Sequence, residues 1–182
     1  MSQRSEVLFL GGRSGVGKTT VGNEISTQLE LAEIGHCLIE GDNLDMAYPV
    51  PSEQGLELAE LNLAAMWANY KRAGYSRLVY VNTACVRPAV MDKLLDALGD
   101  TPVAHGVLLT ASDPTAEARL AHREIGSDLD WHVRRSRKSA RDLEEDAPEW
   151  VWRVDTDGKS VTQVAKEIVG LLHWSMNATT PS

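Results

Sequence analysis

The chain has 182 residues, 43% of them apolar and 24% charged, and a formal net charge of −8. It can bury a sizeable core, and it is too acidic on average for non-specific binding to nucleic acid or an anionic membrane. No run approaches the ~18–20 apolar residues that span a bilayer, and the opening MSQRSEVLFLGG holds too short an apolar run for a secretory signal.

Cys37 and Cys85 lie in apolar runs with no partner at metal-ligand spacing, as small buried residues in a reducing compartment do. A cytoplasmic protein is expected. Along the chain, EVLFL (Glu6–Leu10) is a short apolar run bounded by glycines, the pattern of a buried parallel strand. Val21, Ile25 and Leu29 then recur every fourth residue and mark one face of a helix. HCLIEGD is a second strand ending in Gly41-Asp42, followed by the turn-rich AYPVPSEQG. A helix is predicted from about Leu56 to Arg72, with Leu58, Leu61, Ala65 and Ala68 inward and Gly74 placed to stop it.

RLVYVNTACV is a third strand, leading through Arg87-Pro88 into a helix that ends near Leu98. VAHGVLLTAS is a fourth, followed by Asp113-Pro114 as N-cap and first helical residue. WVWRVD is the last strand, and Ser160 with Gln163 forms a capping box for VTQVAKEIVGLL. Strands alternate with helices, which predicts an α/β fold with a parallel sheet. No repeat or linker divides the chain, so one domain over 1–182 is expected, with a tail that frays from about 175.

Gly12-Arg13-Ser14-Gly15-Val16-Gly17-Lys18-Thr19 fits G-x-x-x-x-G-K-[ST] at every fixed position, between a predicted strand and a predicted helix. Glycines let successive N–H groups form a nest for phosphate, and the helix N-terminus adds its positive dipole end. Lys18 can reach the β- and γ-phosphates and the Thr19 hydroxyl can ligate Mg²⁺, with Thr20 beside it. A nucleoside triphosphate is the predicted ligand, but such a loop does not name a reaction. No N-K-x-D guanine-reading motif and no L-S-G-G-Q segment occurs.

CLIEGDNLD places Glu40, Asp42 and Asp45 at and beyond the end of the second strand, where open parallel sheets bind ligands. Asp42 is best placed to accept the proton of an attacking hydroxyl. A phosphate loop followed about 25 residues later by GDN resembles the small P-loop kinases of metabolites, such as gluconate, adenylylsulfate and shikimate kinases and chloramphenicol phosphotransferase. Gly41-Asp42-Asn43 is similar to the Asp-Gly-Asp-Asn segment of the first two, with Glu40 in the first Asp's place. The resemblance implies a three-layer P-loop NTPase fold, a five-stranded parallel sheet with helices on both faces, and a short arginine-rich lid. It also implies that Asp42 touches the accepting hydroxyl. Two departures stand out. Leu44-Asp45-Met46 follows GDN where adenylylsulfate kinases carry an arginine, and no Walker-B-like Asp ends the third strand. Asn82 and Thr83 stand there instead, as holders of a metal-bound water or as core or capping residues.

Between Arg119 and Arg141 seven Lys/Arg face three Asp/Glu. Arg119 and Arg123 fall on one face of a predicted helix, and a loop around Gly126 leads to Arg134, Arg135, Arg137 and Arg141. The resemblance makes about 123–141 a lid, with Arg123 and Arg119 the foremost phosphate contacts. By the same resemblance RVDTDGKSV is the adenine loop, with Asp155, Thr156 and Gly158 as positional candidates. Tyr48, Trp67, Asn69 and Tyr70 lie in the region that covers the acceptor in such kinases, or are core. The five histidines show no ligand spacing.

The expectation is a phosphotransferase moving the γ-phosphoryl group of Mg-ATP to a hydroxyl of a sugar acid, nucleoside or antibiotic, as monomer or homodimer. A nucleotide-binding regulator or slow ATPase acting on a protein partner is the alternative. A polynucleotide 5′-hydroxyl kinase is disfavoured by a pI near 5.1.

Overall fold

The computed structural model describes residues 4–123 and 129–174, with the backbone alone for 123, 129 and 130. The expected loop around Gly126 and the expected tail lie outside the described residues.

The first strand, β1 (Glu6–Gly12), is central because both its faces are apolar. Val7, Leu8, Phe9 and Leu10 are all fully buried. Val7 and Phe9 join one core cluster with Leu78, Tyr80 and Trp67, and Leu8 and Leu10 join the other with Ile25, Leu29 and Ile168. A strand covered on both faces cannot show polar alternation. The remaining strands are β2 (Cys37–Glu40), β3 (Arg77–Val81), β4 (Val103–Thr110) and β5 (Trp152–Asp155), in the order β2-β3-β1-β4-β5. All pairings are parallel; Leu10 is opposite Val81 on one side and Val107 on the other.

Six α-helices are described: α1 (Lys18–Leu31), α2 (Leu58–Arg72), α3 (Pro88–Leu98), α4 (Asp113–Arg123), α5 (Leu129–Asp146) and α6 (Val161–Leu172). α1 and α6 pack on the Leu8/Leu10 face, and α2 and α3 on the Val7/Phe9 face. The neighbours β1 and β3 therefore send their next helices to opposite faces. Such a switch opens a crevice beyond their carboxyl ends. Among the described residues no helix is long and apolar enough to cross a membrane.

Four local expectations change. The second strand stops at Glu40, and Gly41–Asn43 forms a 3-10 turn. α2 turns its Leu63/Trp67 side inward, leaving Leu61 64% exposed and Ala65 and Ala68 in solvent. Both faces of this helix offer apolar residues, and burial scales with area, so the face with the indole wins. Asp113 is the first residue of α4 and gives its carboxylate to Arg13 rather than to a helix cap. The segment from Leu129 to His132, expected as loop, is helical.

The capping box holds: Gln163 N–H donates to Ser160 Oγ at 3.2 Å, and Ser160 N–H to Gln163 Oε1 at 2.8 Å. Ser160→Ala is expected to cost about 1 kcal/mol in a urea titration. Both cysteines are buried and unpaired; burial pushes the Cys37 thiol up to about 12 and the Cys85 thiol higher still, so neither is a nucleophile at neutral pH.

Candidate active site

The turn from β1 into α1 uses left-handed glycines, with φ of 147° at Gly12, 84° at Gly15 and 99° at Gly17. A Cβ on Gly15 would lie 2.6 Å from the Ala116 carbonyl oxygen and 2.9 Å from Leu120 Cγ. Gly15→Ala therefore adds overlap with backbone to an unfavourable φ. It is expected to lower stability by about 1–3 kcal/mol, as chemical denaturation would read. Gly17 stands at the α1 N-cap, no side chain caps the helix, and its first turn holds no acidic residue. The positive end of the helix is thus left to an outside anion.

Thr19 and Thr20 are exposed there. They line a cleft of about 410 Å³ with Gly15, Gly17, Arg119 and His122. Lys18 is 8% exposed, its Nζ donating to the Arg13 carbonyl at 3.3 Å, so it folds back along the loop. This donor set suits a triphosphate. Among the described residues no three His, Cys, Asp or Glu gather to hold a metal. A Mg²⁺ ion would rest on the Thr19 hydroxyl together with phosphate oxygens, and that exposed hydroxyl fits the role.

Arg13 enters the loop through its backbone only. Its side chain, 3% exposed, is turned into the protein: Nε donates to Ser136 Oγ at 2.9 Å and Nη1 pairs with Asp113. The paired guanidinium holds the Asp113 carboxyl below its ordinary range. Ser14 and Val16 frame the loop otherwise, Ser14 exposed and Val16 buried.

Asp42 sits on the 3-10 turn at the end of β2. A side chain on Gly41 would overlap the Tyr80 ring, so only glycine lets the turn pass that close to β3. Asp42 Oδ1 accepts from Asn82 Nδ2 at 2.6 Å and from the Thr83 N–H at 3.4 Å. Asn82 Oδ1 in turn accepts the Ala84 N–H at 2.8 Å. The residue in the Walker-B-like place therefore holds the carboxylate on the turn that follows the neighbouring strand. Asp42 and Ser14 both line a second cleft of about 700 Å³, walled by Arg87 and by His132, Arg135 and Ser139 of α5.

The arginines divide. Arg119 donates from Nη1 to the Val16 carbonyl at 3.1 Å and to Thr156 Oγ1 at 3.0 Å, tying the phosphate loop to the turn after β5. The Arg123 side chain lies outside the described residues. Arg135 stacks on Trp131, 5.0 Å from the ring centroid. Arg137 donates to Glu117 at 2.6 Å, Arg134 is exposed, and Arg141 lines a crevice of about 250 Å³ behind the loop.

Thr156, 3% exposed, bonds the Thr110 carbonyl at 3.1 Å, so its side chain is structural. Asp155 is exposed and accepts the Asp157 N–H at 3.1 Å. Trp67 is core at 2% exposure, Tyr48 is 95% exposed, and Asn69 meets Arg72 of its own helix. Two features lie beyond the sequence expectations: Asn82 as a partner of Asp42, and the wall that α5 lends to the larger cleft. The wall had a signal, since 132, 135, 136, 139, 142 and 143 follow helical spacing.

No known family profile matches the sequence, and no curated protein matches it. Solved structures do match. A gluconokinase from Sinorhizobium meliloti superposes with a TM-score of 0.62 at 20% identity, over 97% of each chain. The tunicamycin resistance protein of Deinococcus radiodurans gives 0.65 at 18% identity, over 94% of this chain and 98% of that one. The APS kinase of Mycobacterium tuberculosis, solved with AMPPNP and APS, gives 0.59 at 19% identity over 94% and 99%.

Proposed function

We propose that this chain, whose fold is that of the small P-loop kinases, is an ATP-dependent phosphotransferase acting on a hydroxyl of a small molecule. The observation that carries the reading is the shared cleft: the phosphate loop, through Ser14, and the carboxylate of Asp42 open onto one space of about 700 Å³. That volume lies within the range of small-molecule sites. The fold similarity to small-molecule kinases supports a kinase-like phosphotransferase.

In this reading the loop N–H groups and Lys18 hold the triphosphate, with its γ-phosphorus toward the larger cleft. Mg²⁺, when bound at Thr19, supplies charge neutralisation on the phosphate oxygens. Asp42 has Oδ1 committed to Asn82 and Thr83 and offers its other oxygen to the acceptor. As the acceptor oxygen bonds to the γ-phosphorus, the bond from that phosphorus to the β–γ bridging oxygen breaks, ADP leaves, and the hydroxyl proton passes to Asp42. Arg119, fixed between Val16 and Thr156, adds positive charge beside the phosphates. The turn at Asp155 and Thr156 borders the base.

The test is ADP release from Mg-ATP, alone and with sugar acids, nucleosides and hydroxylated antibiotics, with mass spectrometry of each acceptor. An acceptor heavier by one phosphoryl group is expected. ADP release at one slow rate with every compound and no product would favour the regulator or slow ATPase, the reading that Asn82 in the Walker-B-like place favours.

A further inference from the structure

α5 walls the larger cleft, yet little buried apolar surface holds it there. From Trp131 to Asp146 only Ser136 and Leu143 are buried. Behind its later turns lies the crevice of about 250 Å³, between Leu108–Ala111 on one side and Ala140, Leu143 and Glu144 on the other. An element with so little buried apolar surface belongs to the low-stability end of a fold. Its early turns are fastened to α4 by Arg137, which pairs with Glu117, and to the phosphate loop by one buried polar side chain, Ser136, 2% exposed.

Both partners of that hydroxyl belong to the phosphate loop. Ser136 Oγ accepts from Arg13 Nε at 2.9 Å and donates to the Ser14 carbonyl at 2.8 Å. Arg13 also pairs with Asp113 at the start of α4, and its Nη2 is buried without a partner, so the seat of α5 is not fully satisfied. The Ser14 carbonyl and the Gly15 N–H lie in one rigid peptide plane. A phosphate that orients the N–H edge of that plane also orients the carbonyl edge to which Ser136 is bonded.

We infer that Ser136 is a positioning residue that couples the phosphate loop to the acceptor wall, so that a seated triphosphate holds α5 in place. The inference rests on the kinase reading and adds to it. By linkage, an acceptor resting on α5 raises nucleotide affinity by the same factor as nucleotide raises acceptor affinity. The wall is then fully built only when the phosphoryl donor is present, which gives binding synergy.

The test is hydrogen exchange of the full chain with and without Mg-AMPPNP, followed in segments 11–20 and 131–143. In the wild type both segments are expected to slow, the second by about tenfold, within the usual range of such couplings. In Ser136→Ala the loop should keep its nucleotide-dependent protection while that of α5 disappears. Ser136→Cys, which keeps the shape with a slightly larger atom and weakens both bonds, should fall between and carries the test if the alanine variant does not fold. The readout is the change on adding nucleotide, which a merely structural role would leave intact. Equal protection of α5 in wild type and variants overturns the coupling, as does a protected loop beside an unprotected wild-type α5. An unprotected wild-type loop overturns the kinase reading itself.

Discussion

Asp42→Asn is expected to lower the rate of phosphoryl transfer by about 10²–10⁴-fold, the usual contribution of a positioned acid–base group, while leaving nucleotide affinity nearly unchanged. The substitution is selective for a geometric reason. Asp42 uses Oδ1 to accept from Asn82 Nδ2 at 2.6 Å and from the Thr83 N–H at 3.4 Å. An asparagine can keep its carbonyl oxygen in that place. What it loses is the second carboxylate oxygen, and with it the proton acceptor. Nucleotide binding should survive because the cleft proposed for the triphosphate is lined by Gly15, Gly17, Thr19 and Thr20, not by Asp42. Single-turnover transfer to the acceptor found in the compound panel, paired with nucleotide titration, separates the two effects. Transfer within about threefold of wild type, where ~10²-fold is the lower expectation, would place the base elsewhere or make it unnecessary.

Lys18→Ala is expected to abolish stabilisation by Mg-ATP. At a nucleotide concentration of about 100 times Kd, a ligand that binds only the folded chain adds ~2.7 kcal/mol. For a chain of this size that corresponds to roughly 5–11 °C in the melting midpoint. Lys18 is 8% exposed and donates to the Arg13 carbonyl at 3.3 Å, so its charge stands inside the turn that the phosphates would enter. Removing it takes away a cation already desolvated and aimed, for which water cannot substitute at that place. The measurement is a pair of thermal melts with and without Mg-ATP, for both proteins. A shift in Lys18→Ala equal to that of the wild type would remove the phosphate-loop assignment.

Much of this was legible along the chain because the signals are local. G-x-x-x-x-G-K-[ST] is contiguous, and Gly12, Gly15 and Gly17 of it adopt positive φ, which only glycine takes without strain. The capping box needs only Ser160 and Gln163. Strands buried on both faces announce themselves as unbroken apolar runs, so the alternation that yields a parallel sheet could be followed without coordinates. Where a segment offered two solutions, local pattern could not choose. α2 carries apolar residues on two faces, and what covers the sheet decided that Trp67 and Leu63, not Leu61 and Ala65, would be inside.

By itself, then, the sequence determined the phosphate loop, the parallel α/β order and the carboxylate of GDN, since each depends on residues near one another in the chain. Only the tertiary structure decided what those parts meet. Asn82 reaches Asp42 because β2 and β3 are neighbours in the sheet, although 40 residues separate them. Arg13 turns from the expected nucleotide site to Ser136, 123 residues away, because α5 crosses behind the loop and presents a buried hydroxyl there. A side chain with several charged or polar partners in reach goes to the one whose burial leaves fewest groups unsatisfied, and that choice is made by the packed surroundings.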